Sequence, residues 1–473
     1  METLQRTANR GSISTGFDID NSVKVENDNR EYFRWTNFSN YASSARKKKF
    51  SMSVWVKRTE LDRQQIVWST AANGYLSFQA DNKIKWQQTY SGVQKTLNTN
   101  RVFRDTSAWY HILLQVDTAQ STEADRTKLY VNGEQITSFS SATYPSQNDE
   151  AQNLYEQHLI LGEWGGGSTG FSGYIAEYYF LSEVALVPSD VGETDEDTGI
   201  WKPKAYSGTI SSPSQFLEFK DSSDLGTATS GLDADYLNNI TAIDQATDTP
   251  TNNFCTFNAI QNYTPSTVLS DGGTLWDNPA GQNWQSITGT FAVASGKWYW
   301  EVRGATYAFL GIADVDDTII PRNVNGYYLG NGDNNSATTK SIGMYSINGQ
   351  VYNAPNGSPD GTSYTSANMI GFALDMDNRK MWISKDGTWI SSIGDPTGTP
   401  SGGIALTYLG DYIYPAVSVS ASNGVICAFG GIVSPHVSHH NMTNTDANGY
   451  GAFKSSPPSG YYSLCTKNLA EYG

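Results

Sequence analysis

Apolar and polar residues alternate with a period of two at many points along the chain. Phe50, Met52, Val54 and Val56 alternate with Ser51, Ser53 and Trp55, and Tyr110, Ile112, Leu114 and Val116 repeat the pattern. It returns at Trp298, Trp300 and Val302, then at Ile370, Phe372, Leu374 and Met376. Successive side chains of a strand point to opposite faces of a sheet, so this period predicts half-buried strands. Helical periodicity is almost absent. Between the runs stand Asn73-Gly74, Asn132-Gly133, Asn348-Gly349, Asp386-Gly387 and Asn423-Gly424. Such pairs accept the positive φ that tight hairpins require. Many short strands closed by such turns predict an all-β chain. The arrangement expected is two antiparallel jelly-roll-type β-sandwiches in tandem, each burying the inner faces of two sheets.

The pattern also divides the chain. Residues 1–16 are polar and small with no strand signal, and read as an extended N-terminal arm that orders only on a partner. A strand-rich block follows to about Phe180, then an acidic, turn-rich stretch from Pro188 to Lys204. Residues 205–265 hold one clear strand, Phe216 to Phe219, among Thr, Ser, Asp and Asn, and read as the end of the first domain plus a connector. A second strand-rich block runs from about Leu275 to Phe429, and the tail 430–473 is expected to lie over it. The domains expected are therefore 1–16, 17–265 and 266–473.

Composition narrows the function. Asp and Glu number 47 against 31 Lys and Arg, for a net charge of −16. Nucleic-acid binding needs cations that displace counterions from phosphates, so this balance argues against it, and against anionic membrane surfaces. No apolar run approaches a bilayer span, and Met1 to Arg6 lacks a signal-type stretch, so neither membrane insertion nor Sec secretion is expected. Cys255, Cys427 and Cys465 are odd in number and far apart, and are expected as idle thiols rather than a disulfide framework or a metal site.

Certain segments carry resemblances. Phe50-Ser-Met-Ser-Val-Trp-Val-Lys57, Asp105-Thr-Ser-Ala-Trp-Tyr-His-Ile112, Lys128-Leu-Tyr-Val-Asn-Gly-Glu134 and Gly173-Tyr-Ile-Ala-Glu177 resemble, in order and spacing, a laminin-G/concanavalin A-like sandwich. Ser295-Gly-Lys-Trp-Tyr-Trp-Glu-Val302, Gly311-Ile-Ala313, Gly371-Phe-Ala-Leu-Asp-Met-Asp377, Met381-Trp-Ile-Ser-Lys-Asp-Gly387 and Tyr414-Pro-Ala-Val417 resemble a SPRY domain, with Asp386 where Asn is commoner. The segments Arg6 to Ser22, Gly192 to Lys204 and Asp248 to Asn253 are similar to virion proteins of marine, cyanophage-type bacteriophages. That resemblance implies a virion protein assembled in the host cytoplasm, with other virion proteins as partners. It also implies a homo-oligomer, a trimer in fibre-type assemblies, although no heptad repeat specifies three chains.

Glycoside hydrolysis needs two carboxylates across a scissile bond. Glu177 with Glu183, Asp375 with Asp377, and Asp18 with Asp20 are the nearest approaches, and each reads better as turn or solvated acids. No catalytic residue is expected. His111 reads as structural, while His436, His439 and His440 form either an exposed loop or an imidazole cluster on a threefold axis. Asp221-Ser-Ser-Asp-Leu-Gly226 resembles an oxygen-rich loop able to hold Ca²⁺ through Asp221 and Asp224, an ion-free turn being the alternative. No other cofactor is expected. Arg46 to Lys49 reads as a solvated lead-in to a strand. Aromatic residues are the candidate ligand contacts: Tyr327 and Tyr328 with Asn331 and Asp333 in a Gly-rich loop, and Trp276 and Trp284 before it.

The reading that unites these features is a non-enzymatic virion protein of tail-fibre or adhesin type, displaying lectin-like sandwiches for recognition of host-surface glycan or protein. A capsid-associated decoration or head-fibre protein is the alternative within that class. A polysaccharide depolymerase is the alternative from another.

Overall fold

The structure is a computed structural model. It describes residues 16–36, 38–70, 74–152, 154, 159–163, 169–261, 268–278, 284–317, 328–330, 340–353, 362–420, 423–432 and 442–473. Among the described residues strands make up 45% and helices 7%, so the protein is all-β as its alternation predicts. Among the described residues no helix is long and apolar enough to cross a membrane. The chain divides into two compact units at Asn252 and Asn253.

The first unit pairs two antiparallel sheets. One is centred on Lys49–Arg58, which lies between Trp109–Asp117 and Gly173–Ser182. The other, of eight strands among the described residues, runs from Phe139–Thr143 at one edge through Lys83–Tyr90 and Gln65–Thr70 to Tyr32–Trp35 and Tyr236–Asn238. Phe50, Met52, Val54 and Val56 point inward with Ile112, Leu114, Trp68, Trp86 and Leu161. The opposite face of the central strand is buried too, which alternation alone does not show. Ser51 donates its hydroxyl to Val184 O at 2.9 Å and accepts from Leu186 N at 2.8 Å, so the chain after the closing strand folds back over the sheet. Tyr179 stacks on Phe216 at 4.2 Å in the same layer.

The segment after 205 is more than a connector. Gln215–Leu217 pairs with Gly173–Ser182, Tyr236–Asn238 extends the eight-stranded sheet, and Gln245–Ala246 pairs with Ser22–Val25. Asp248 then anchors the end of the unit. Its carboxylate accepts from Lys57 Nζ at 2.6 Å and from Trp109 Nε1 at 3.0 Å, with both charges fully buried.

The second unit has the same layered plan. One sheet is centred on Lys297–Arg303, flanked by Met369–Asp375 and Asn423–Ala428. The other has five strands among the described residues: Gln285–Thr288, Ile413–Val419, Ala308–Asp314, Ser341–Tyr345 and Val351–Tyr352. Trp298, Trp300, Val302, Ile370, Phe372 and Leu374 fill the core between them. Glu301, on the other face, accepts from Lys454 N, Ser455 N and Tyr299 O–H at 2.7, 2.9 and 2.9 Å. Those bonds hold the C-terminal tail against the sheet, and Tyr462–Ser463 adds a short parallel strand beside Trp298 and Tyr299. The three cysteines are buried free thiols.

Candidate functional site

The five-stranded sheet of the second unit presents a cluster of rings on the face turned away from its core. Along Ala308–Asp314, Leu310 and Ile312 point inward, while Phe309 and Ala313 point outward. Its cross-strand partner Tyr345 stacks on Phe309 at 4.5 Å with ring planes 12° apart. Tyr328 stacks on Phe309 at 4.3 Å and 9°. Trp284 meets Phe309 at 5.1 Å and Tyr328 at 5.0 Å at steep angles, and Tyr352 meets Phe309 edge-on at 5.1 Å. Such tilted and offset pairs are each worth about 0.5–1.5 kcal/mol beyond burial. Five rings therefore form one packed cluster, with Phe309 buried and Trp284, Tyr328, Tyr345 and Tyr352 partly buried around it.

Backbone chemistry places Tyr328. Leu329 N donates to Ser418 Oγ at 3.0 Å, and Gly330 N donates to Ser341 Oγ at 3.1 Å, so the segment is tied flat across three strands. Leu329 can lie there because Gly343 has no side chain; a Cβ would meet Leu329 Cβ at 2.6 Å. Gly330 has φ +75°, and a side chain there would also strike Tyr352. Burial, and next the neighbouring Tyr352, holds the Tyr328 hydroxyl above its ordinary range. Burial also raises Tyr345, so both remain neutral O–H donors at physiological pH.

The sequence candidates separate accordingly. Trp284 and Tyr328 come together. Tyr327, Asn331 and Asp333 lie outside the described residues. Trp276 is a core residue: its strand Leu275–Asn278 pairs with Asn423–Ala428, and its ring is 1% exposed. Sequence reasoning missed Phe309, Tyr345 and Tyr352. The available signal was a large ring at an outward strand position followed by small outward neighbours, Gly311 and Ala313.

The candidate acids are engaged elsewhere. Asp375 accepts from Asn378 N and Nδ2 and pairs with Lys297 at 3.1 Å, and Asp377 accepts from Gly296 N. Glu183 pairs with Arg46. Asp18 and Asp20 are exposed. Glu177 is buried on a bulge of its strand with φ +47°, and accepts from Tyr179 O–H at 3.0 Å. Burial pushes its carboxyl up to about 8.

Asp221 Oδ1 accepts from Ser223 N and Oγ, and Asp224 Oδ1 accepts from Gly226 N, so these carboxylates close their own turn. Among the described residues no group of three or more His, Cys, Asp or Glu side chains could hold a metal. His436, His439 and His440 lie outside the described residues. His111 sits between Ser53 and Trp201: Trp201 Nε1 donates to its Nδ1 at 3.1 Å, so its Nε2–H faces Ser53 Oγ at 2.8 Å. A Ser–His base would need a carboxylate behind the ring, and here an indole N–H stands in that place.

Both units are thus two-layer β-sandwiches. Residues 27–192 match the family described as the concanavalin A-like lectin/glucanases superfamily. That span holds all four segments that resemble a laminin-G-like sandwich. No curated protein matches the chain. Among solved structures, the SPRY domain of human HERC1 is 16% identical, over 34% of this chain and 91% of that one, with a TM-score of 0.25. The TRIM65 PSpry domain is 15% identical, over 37% and 91%, at 0.27. The heptameric SAP-like pentraxin from Limulus polyphemus is 14% identical, over 36% and 80%, at 0.26.

Proposed function

We propose that the protein is a non-enzymatic glycan-recognition protein of a phage particle, of tail-fibre or adhesin type, and that the ring surface of its second unit is a contact for host saccharide. The observation that carries this reading is the packing of Trp284, Tyr328, Tyr345 and Tyr352 around Phe309. Pyranose rings present apolar C–H faces that stack on aromatic planes, while their hydroxyls need donors and acceptors, which the half-exposed tyrosine hydroxyls supply. Rings already locked by their neighbours lose little entropy on binding. The match of residues 27–192 to the concanavalin A-like lectin/glucanases superfamily supports saccharide as a ligand class for the first unit of the same chain. Glycoside hydrolysis needs two carboxylates across one scissile bond, whereas Asp375, Asp377 and Glu183 are bonded within turns and ion pairs and Glu177 is buried against Tyr179. The virion assignment rests on the resemblance of Arg6 to Ser22 and its companion segments.

The test is titration of the purified chain with neutral host-envelope oligosaccharides, read by tryptophan fluorescence, beside particle adsorption to host cells. Binding is expected, with loss of about tenfold or more in Trp284→Ala and Tyr328→Ala, the range for removing an anchoring ring. Unchanged affinity in both folded variants removes this surface from the proposal. Absence of the protein from purified particles removes the virion assignment.

A further inference from the structure

The first unit carries a different arrangement at the edge of its eight-stranded sheet, on the face away from the core. Arg34 lies on Tyr32–Trp35 with Tyr32 two residues before it, and Tyr236 is its cross-strand partner. The guanidinium carbon is 5.0 Å from the Tyr32 ring centre and 5.1 Å from that of Tyr236. Nη2 donates to Tyr32 Oη at 2.6 Å, which fixes the plane of the fork. Arg34 Nε is buried and has no acceptor among the described residues. No described carboxylate forms an ion pair with Arg34. The neighbouring acids are committed: Glu163 is held by Arg30 at 3.3 Å, and Asp235 accepts from Thr36 N and Oγ1. Tyr236 is 43% exposed, and its hydroxyl is steadied by Asn238 Oδ1 at 3.0 Å.

In a chain of net charge −16, an oriented guanidinium without a carboxylate is an unfilled half of a bidentate pair. Flanking rings restrict its motion, and with Nε buried and one Nη2 hydrogen spent on Tyr32, the donors left for a planar or tetrahedral oxyanion are Nη1, which is not buried, and the second hydrogen of Nη2. The exposed ring of Tyr236 beside it is flat enough to take the C–H face of a sugar. We propose that Arg34, Tyr32 and Tyr236 form a subsite for an acidic saccharide, with Arg34 forking the carboxylate or sulfate and Tyr236 stacking on the ring that bears it. This rests on the reading of the first unit as a glycan-binding sandwich, but not on the ring surface of the second.

The experiment uses the full chain and three probes: a hexuronate disaccharide, a sulfated neutral disaccharide and the uncharged parent disaccharide. Affinities are measured by calorimetry at low and high salt. At least one anionic probe is expected to bind about tenfold tighter than the parent, with the advantage shrinking in salt, as charge-assisted contacts do. The two anionic arms separate carboxylate from sulfate recognition. Arg34→Gln should abolish the advantage, Arg34→Lys should keep only part of it, and Tyr236→Ala should weaken all saccharide binding at this site. Melting curves establish that each variant folds, and Arg34→Lys with Tyr236→Ala carry the test if Arg34→Gln does not. Trp284→Ala should leave the advantage intact, which separates this subsite from the ring surface. Equal affinity for charged and uncharged probes overturns the proposal. So does an advantage that survives in Arg34→Gln, or an acidic peptide that binds Arg34 as tightly as the saccharides.

Discussion

Trp276 and Trp284 are eight positions apart and do opposite work. Trp276→Ala should leave a core cavity and cost about 3–5 kcal/mol. Trp284→Ala removes one side of a surface cluster and should cost about 1–3 kcal/mol, the worth of its contacts with Phe309 and Tyr328. Chemical denaturation of the two variants checks this; equal losses would mean that the ring surface is part of the core. Glu177 gives a residue-scale test of pH. Burial raises its carboxyl from the ordinary 4.5 to about 8, so the native state keeps a proton that the unfolded chain releases. Its contribution to stability is therefore full below about pH 4.5 and is lost as pH rises through about 8. Glu177→Gln should flatten that part of the pH–stability curve, and an unchanged slope would exclude Glu177 as its source. His111 was legible as structural from its place in a strand beside Trp109. Its partner Trp201 was not, because 90 residues of chain lie between them and only the fold brings them together.

At the scale of elements, alternation predicted which face of each central strand points inward. Phe50 to Val56, Tyr110 to Val116, Trp298 to Val302 and Ile370 to Met376 all obey it. What alternation did not reveal is the second layer. Ser51 and Ser53 have polar side chains, yet both are buried, because their hydroxyls bond to the returning chain and to His111. The segment after 205 showed one strand, at Phe216, and hid the others for a related reason: two- and three-residue strands are too short to show a period. Its anchor is the Lys57–Asp248 pair. Asp248→Asn should leave a buried ammonium uncompensated and destabilise the first unit by about 3–5 kcal/mol. Replacing both residues together with apolar ones of similar size should restore much of that loss, as read by thermal melts of the single and double variants. A double variant as unstable as the single would place the role of Asp248 in its bond to Trp109 instead.

For the whole molecule, each unit has its own apolar core and its own pair of sheets, and the candidate surfaces differ in chemistry between them. If the protein acts in recognition as proposed, it should release no reducing sugar from host polysaccharide. Sustained release, abolished by Glu177→Gln or Asp375→Asn, would convert the reading to that of a depolymerase. If many copies are displayed on a particle, modest affinities at single sites combine through avidity. Loss of one ring should then reduce adsorption more steeply than it reduces the affinity of the isolated chain.

The sequence by itself determined the all-β class, the two strand-rich blocks and the inward faces of their central strands. These are local properties, written in period-two alternation and in Asn-Gly and Asp-Gly turns, and they need no knowledge of distant partners. It also pointed to Trp284 and Tyr328 through their residue type. Only the tertiary structure decided that Trp276 is core while Trp284 is surface, that Phe309, Tyr345 and Tyr352 complete the ring cluster, and that Arg34 meets Tyr236 from 202 positions away. The physical reason is the same in each case. A side chain's surroundings are set by which strands lie beside it and what covers its face, and those neighbours are supplied by strand pairing across long stretches of chain rather than by the residues next to it in sequence.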